Sequence, residues 1–399
     1  MKNILLYENT RFWRSLKNIV VLLGYVGLLV GIIVYNTIQD NKYWRNQTSF
    51  YGHERNAINN IISGVEGQAQ IAKDNDPDDI ETHKEFERQY DFYRWQYLYS
   101  YQQMCMARHF HPEEAVERLQ LTLERDRHML QGLEKGYELL DHTQEEVKQR
   151  IAITEYILDK GITPLNSPHE MTATNFLTQL LTYPWILAIL ITIALLSIDI
   201  FSGDAEGGAY KNLYSQPLSR GKIYASKYLV RLFYSFIAIM GITALVFGLL
   251  ALFKGMGSVN YPIPFAEASF HSLENTGTLT FLPWSQYILK ALPLVCLTAL
   301  FAMLLIGTAS LLLNNTGNAL NASFCILVLD FLARTLFPAE SIFYMFWPLT
   351  AANTYDLLQG TYRFSALAYI ILLSLSVLIL YIGGALVLRK RDLTGGVES

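Results

Sequence analysis

Six long apolar runs punctuate the chain, at Ile19–Ile38, Leu180–Ile198, Leu232–Phe253, Ile288–Leu313, Ala319–Phe337 and Ala366–Leu388. Each has about the length an α-helix needs to cross a bilayer core, close to 20 residues. A polar block with helical periodicity, residues 40–175, separates the first run from the second. The pattern predicts an all-α polytopic membrane protein: six transmembrane helices, with a helical extracytoplasmic domain between the first and second spans. The expected divisions are residues 1–18 for a cytoplasmic amphipathic helix, 19–38 for the first span and 39–179 for the extracytoplasmic domain. Residues 180–399 then hold five further spans, with a loop at 199–231 and a segment at 338–364 too short to cross. In that segment Phe343, Phe346 and Trp347 predict a re-entrant or interfacial element that stops at Pro348.

Inside the polar block, Asn75–Asp79 reads as a turn and 80–108 as one helix. His111-Pro112 breaks that helix, and Pro112 suits the first position of the next. There Val116, Leu119, Leu123, Leu130, Leu133, Tyr137 and Leu140 form a seam with one polar gap at Asp126. Thr143 and Glu146 have the spacing of a capping box. The helix after Pro77 carries two apolar stripes. Phe86, Tyr90, Tyr93, Tyr97, Tyr101 and Met104 are expected in the core. Phe92, Trp95 and Tyr99 form the candidate outer binding face.

Basic flanks set the expected topology. The loop 199–231 carries Lys211, Arg220, Lys222, Lys227 and Arg231, after an acidic start at Asp199, Asp204 and Glu206. Arg389-Lys390-Arg391 closes the last span. Both place their neighbourhoods inside, so the two termini are expected to be cytoplasmic. At the N-terminus Leu5, Leu6, Phe12, Trp13, Leu16 and Ile19 share one arc of a helical wheel, with Arg11, Arg14 and Lys17 pointing away. This predicts an interfacial helix lying on membrane lipid. In the loop, Pro217 is expected to break the chain and Ser219 to cap the following helix. The aromatics Tyr261, Phe265 and Trp284 are expected at the outer interface, and Lys290 is expected to snorkel outward from the start of the fourth span.

Composition agrees with the membrane reading: only 17% of residues are charged, against roughly 25% in soluble domains. Residues 40–179 hold 24 acids and 15 bases, and the remainder 11 acids and 16 bases. An acidic polar block argues against nucleic acid as a partner. Of the three cysteines only Cys105 lies in that block, so no disulfide is expected within it.

Candidate chemistry is sparse. The sequence contains no Gly-x-x-x-x-Gly-Lys-Ser/Thr and no His-Glu-x-x-His, so energy must come from elsewhere. Cys105, His109 and His111 are close in sequence, but His109 and His111 cannot share a helix face, and no metal site is expected. Asp330 and Arg334 stand four apart in the fifth span, as an intramembrane pair or part of a pathway.

At Glu206, Leu213, Pro217-Leu218-Ser219-Arg220, Ile223 and Lys227 the sequence resembles the loop between the second and third spans of type 2 ABC-exporter permeases. The resemblance implies the transmembrane subunit of an ATP-driven exporter. Its substrate would be hydrophobic or amphipathic, such as a peptide, lipid or drug. Glu206, Pro217, Ser219, Arg220 and Lys227 would shape the ATPase-coupling loop, and Arg11, Trp13 and Arg14 would belong to an interfacial helix near it. Expected partners are cytoplasmic ABC ATPase subunits, which would hold ATP and Mg, and a second permease in a homo- or heterodimer. No cofactor is expected in this chain. The expected location is a bacterial cell membrane. The competing reading is a membrane sensor or assembly scaffold whose outer helical domain binds a ligand. The lack of a sizeable cytoplasmic output domain disfavours it.

Overall fold

The computed structural model describes residues 2–137, 142–208, 219–275, 279–313, 315–339 and 341–390. In chain order its helices are α1 (Lys2–Arg14), α2 (Leu16–Asn75), α3 (Ile80–Arg108), α4 (Ala115–Glu134), α5 (Gln144–Asp159), α6 (Ala173–Leu180), α7 (Leu187–Ser197), α8 (Ser202–Glu206), α9 (Arg220–Phe253), α10 (Trp284–Leu313), α11 (Thr316–Leu336), α12 (Thr354–Leu358) and α13 (Ala366–Lys390). A two-stranded sheet pairs β1 (Pro262–Ala266) with β2 (Leu279–Pro283). Among the described residues six stretches, in α2, α7–α8, α9, α10, α11 and α13, are long and apolar enough to cross a membrane. The protein is therefore an all-α polytopic membrane protein. It forms two compact units: Met1–Ile33, Thr172–Met256 and Ile263–Ser399 make the membrane unit, and Val34–Met171 with Gly257–Pro262 make the polar unit.

Local chemistry sets the helix ends of the polar unit. Asp79 caps α3 by accepting from the Thr82 amide at 3.1 Å and its hydroxyl at 2.6 Å. Pro112 opens a short 3-10 turn, Pro112–Glu114, ahead of α4. Thr143 and Glu146 form a reciprocal capping box at the start of α5. Ile58, Val65, Phe92, Tyr93, Met129, Tyr137 and Val147 build the core.

The expected seam on α4 is rotated. Leu123 and Tyr137 are buried, but Val116 is 49% exposed, and Leu140 lies outside the described residues. The buried stripe instead includes Arg118, Arg125, Asp126, Met129 and Gly132. Asp126 is no gap, because Arg150 binds it through two nitrogens, each at 3.0 Å. Arg125 reaches Glu54 at 3.3 Å. Burial opposes the charge on Arg125, yet Glu54, Tyr51 and Asp126 outweigh it and raise its pKa. Opposite charges thus neutralise one another where the wheel asks for leucine.

In the membrane unit, the second span begins later than predicted. The chain leaves helix after Leu180 and resumes at Leu187, with Pro184 between. Proline lacks the donor and clashes with the preceding turn. Tyr224 and Tyr228 of α9 pack where α13 and α10 have no side chain: a methyl on Gly384 or Gly307 would overlap their hydroxyls. Small residues at such crossings let membrane helices approach closely.

Three interfacial expectations change. Phe265 and Trp284 are buried, and the Trp284 indole donates to Thr178 Oγ1 at 2.9 Å. Lys290 does not snorkel free, since its ammonium lies over Phe265 and Phe270, 5.3 and 4.6 Å from the ring centroids. Within 338–364, the first turn does end before Pro348, but Pro348 then opens a second turn where none is expected. Two 3-10 turns, Ile342–Phe346 and Pro348–Ala352, lead into α12, with Leu349, Ala351, Ala352, Leu357 and Leu358 buried.

Candidate functional site: a charged clasp around a five-residue helix

The short helix α8 follows the second span and carries polar groups on two faces. Ser202 and Glu206 are four apart and share one face, and Asp204 points roughly opposite. The first face grips α10 and α11. Ser310 Oγ lies 3.0 Å from Ser202 Oγ and accepts from the Phe201 and Ser202 amides at 3.3 and 3.0 Å. Ser202 Oγ also meets Thr316 Oγ1 at 2.9 Å. Glu206 accepts from the Thr316 amide at 2.7 Å and its hydroxyl at 2.9 Å. A carboxylate at a helix N-terminus satisfies orphan donors and complements the dipole, so Glu206 supplements the Asn315 cap of α11.

The opposite face enters an ion network. Asp204 pairs with Arg11 of α1 and with Lys227 of α9. Lys227 also donates to Glu8 Oε1 at 2.7 Å and to the Ile200 carbonyl at 3.3 Å. Just before α8, Asp199 binds Lys17 at 2.6 Å and Arg231 at 3.3 Å. Glu8, Asp204, Lys227 and Arg231 are all buried. Removing one partner of such a pair strands the other and costs about 3–5 kcal/mol. Through α8, then, α1 and α9 are joined to α10 and α11.

The residues singled out in the loop therefore secure span ends. Lys227 is 2% exposed, so its ammonium is engaged inside the protein. Arg220 donates to the Leu388 and Arg389 carbonyls at 3.2 and 3.0 Å, a cation at the C-terminus of α13. Ser219 is the N-cap residue of α9, but its side chain makes no cap bond. Pro217 lies outside the described residues. Arg11 of α1 and Lys17 of α2 turn toward Asp204 and Asp199. Trp13 and Arg14 remain exposed. Glu8 escaped the sequence reading; its signal is an acid three residues before Arg11, inside an otherwise basic segment.

Asp330 and Arg334 form a second polar node. Arg334 Nε meets Asp330 Oδ2 at 3.0 Å, and its other nitrogens donate to Tyr362 Oη at 2.8 Å and the Leu349 carbonyl at 3.0 Å. Trp347 donates to Asp330 Oδ1 at 2.7 Å, and the Tyr183 ring lies under the guanidinium, 4.5 Å away. This fully engaged pair pins α11 to the segment that follows it.

The proposed outer face divides. Phe92 is 6% exposed and stacks on His128 at 4.9 Å, so it belongs to the core. A methyl on Gly132 would overlap its ring. Phe92 packs beside Tyr93, whereas Trp95 is 54% exposed and Tyr99, 6.1 Å from it, is half-buried. Cys105 is half-buried, and His109 and His111 are exposed. No group of three potential metal-ligating side chains occurs among the described residues.

No curated protein and no solved structure matches the chain. A family model described as ABC-2 family transporter protein matches residues 42–393. That match takes in the polar unit, which the loop resemblance does not reach. With six apolar helices and a family match over most of its length, the chain belongs to the ABC-2 family of transporter proteins.

Proposed function

We propose that the chain is the permease subunit of an ATP-driven exporter, and that α8 passes the movement of a cytoplasmic ATPase to the spans. The observation that carries this reading is the double grip of α8: ion pairs to α1 and α9 on one face, hydroxyl and carboxylate bonds to α10 and α11 on the other. A five-residue element so bonded cannot shift without moving four helices. The ATPase would dock on the loop 199–231, whose ends Glu206, Arg220 and Lys227 secure. Both termini would be cytoplasmic and residues 39–179 extracytoplasmic, by the basic flanks. Two permeases, alike or different, would enclose the path of a hydrophobic or amphipathic substrate. Trp95 and Tyr99 would meet that substrate or the partner permease.

The test is purification of the tagged chain from its native membrane. Recovery of a stoichiometric ATPase subunit supports the proposal. Its consistent absence, with the chain folded and abundant, counts against it.

A further inference from the structure

Where α2 ends and α3 begins, the polar unit holds a cleft of about 660 Å³. Pockets for small ligands commonly measure roughly 300–1,000 Å³. Val65 and Ala69 stand one helical turn apart on α2, and Phe86 and Tyr90 one turn apart on α3, so each helix turns an apolar face into the cleft. Val65 is buried, and Phe86 and Tyr90 are half-buried against the core. The two rings are thus held in place before any ligand arrives.

Charge surrounds this apolar floor. Glu66, Glu87 and Asp91 line the cleft and are exposed, and none of them pairs with a base among the described residues. Nearby Arg88 is taken by Glu85 at 3.2 Å. Lys73 also lines the cleft, as does His83, whose Nε2 lies 3.1 Å from the Asp76 carbonyl oxygen. With His83 neutral, the lining carries three negative charges against one positive. The bias extends beyond the lining, since residues 66–91 hold nine acids and three bases. Such a field attracts cations and repels anions. An occupant must therefore combine about two positive charges, which balance the lining, with an apolar group. A bare metal ion lacks the apolar part, and no group of three metal-ligating side chains occurs among the described residues.

We infer that the cleft binds an amphiphilic dication, such as a short peptide segment with two basic residues around an aromatic one. The apolar group would lie against Val65 and Phe86, and one cation over the Tyr90 ring. The second would meet Glu87 and Asp91, which stand four apart on one face of α3. The site belongs to the polar unit alone, so it does not depend on export by the chain.

The full chain, purified in detergent, is titrated calorimetrically with three capped peptides: acetyl-Arg-Phe-Arg-amide, acetyl-Arg-Ala-Arg-amide and acetyl-Glu-Phe-Glu-amide. The first should bind roughly tenfold more tightly than the second, through partial burial of its ring, and the third should not bind. Glu87→Gln combined with Asp91→Asn should weaken the first peptide roughly fivefold, the loss of two exposed charge pairs. Ala69→Trp fills the cleft and should abolish binding. If thermal unfolding shows that Ala69→Trp folds poorly, Glu87→Lys at its exposed position takes its place and should weaken binding at least as much as the double variant. Equal binding of the Phe and Ala peptides would mean attraction to an acidic surface only and overturns the inference. So does binding of the acidic peptide, or undiminished binding of the first peptide to the folded variants.

Discussion

Replacing Lys227 by Met tests the clasp most sharply. The substitution keeps the length and apolar stem of the side chain but removes an ammonium that touches two carboxylates. Asp204 keeps Arg11. Glu8 has no other ion pair among the described residues, and it is 6% exposed. The cost is therefore that of stranding one buried charge, about 3–5 kcal/mol. Glu8→Gln alone should cost less, because Lys227 keeps Asp204 and the Ile200 carbonyl. The double variant removes both charges and should recover much of the loss. Unfolding of the four proteins in mixed micelles gives a double-mutant cycle, with an expected coupling of about 2 kcal/mol or more. Losses that add to within about 0.5 kcal/mol would show that the two residues act independently and refute the pairing.

In the polar unit, Phe92→Ala should destabilise by about 3–5 kcal/mol, while Trp95→Ala should stay within about 0.5 kcal/mol; hydrogen exchange of α3 in the full-length chain distinguishes them. Arg334→Leu strands Asp330 and breaks three bonds to residues 330–362, so folded yield should fall sharply, and Arg334→Lys should restore little because it cannot make all three; size-exclusion yield checks both. Burial against Phe92, with Lys135 nearby, lowers the His128 pKa. A depressed histidine pKa favours the neutral ring in the fold. Its stabilisation is therefore present above the ordinary value of about 6.5 and lost as pH falls through the folded value. Exchange of α3 and α4 amides should accelerate on acidification below that range, and His128→Leu should weaken the dependence.

Much of the fold was legible because its signals are local. Span lengths, the break at Pro112 and the Thr143–Glu146 cap all depend on residues near in sequence. The second span misled because the apolar run continues across Pro184, and hydropathy does not register a missing donor. Asp126 misled for a different reason: its partners Arg150 and Arg125 with Glu54 come from separate helices, and only folding unites them. The clasp shows the same limit. Asp199, Asp204 and Glu206 stood out as an acidic cluster, but nothing in the sequence says that Arg11, Lys17 and Glu8, almost 200 residues earlier, meet them. Phe92 and Trp95 differ only in which side of α3 faces the bundle, and a helix with two apolar stripes leaves that undecided.

ATP hydrolysis by the purified permease–ATPase complex carrying Glu206→Ala tests the central claim most directly. Glu206 is exposed and holds α8 to α11 through Thr316 alone among the described residues. Its removal should cost about 1 kcal/mol, as for a helix cap, and leave the complex assembled. If α8 transmits movement to the spans, coupled hydrolysis and transport should fall severalfold with complex yield unchanged. Wild-type hydrolysis and transport in that variant would contradict the account.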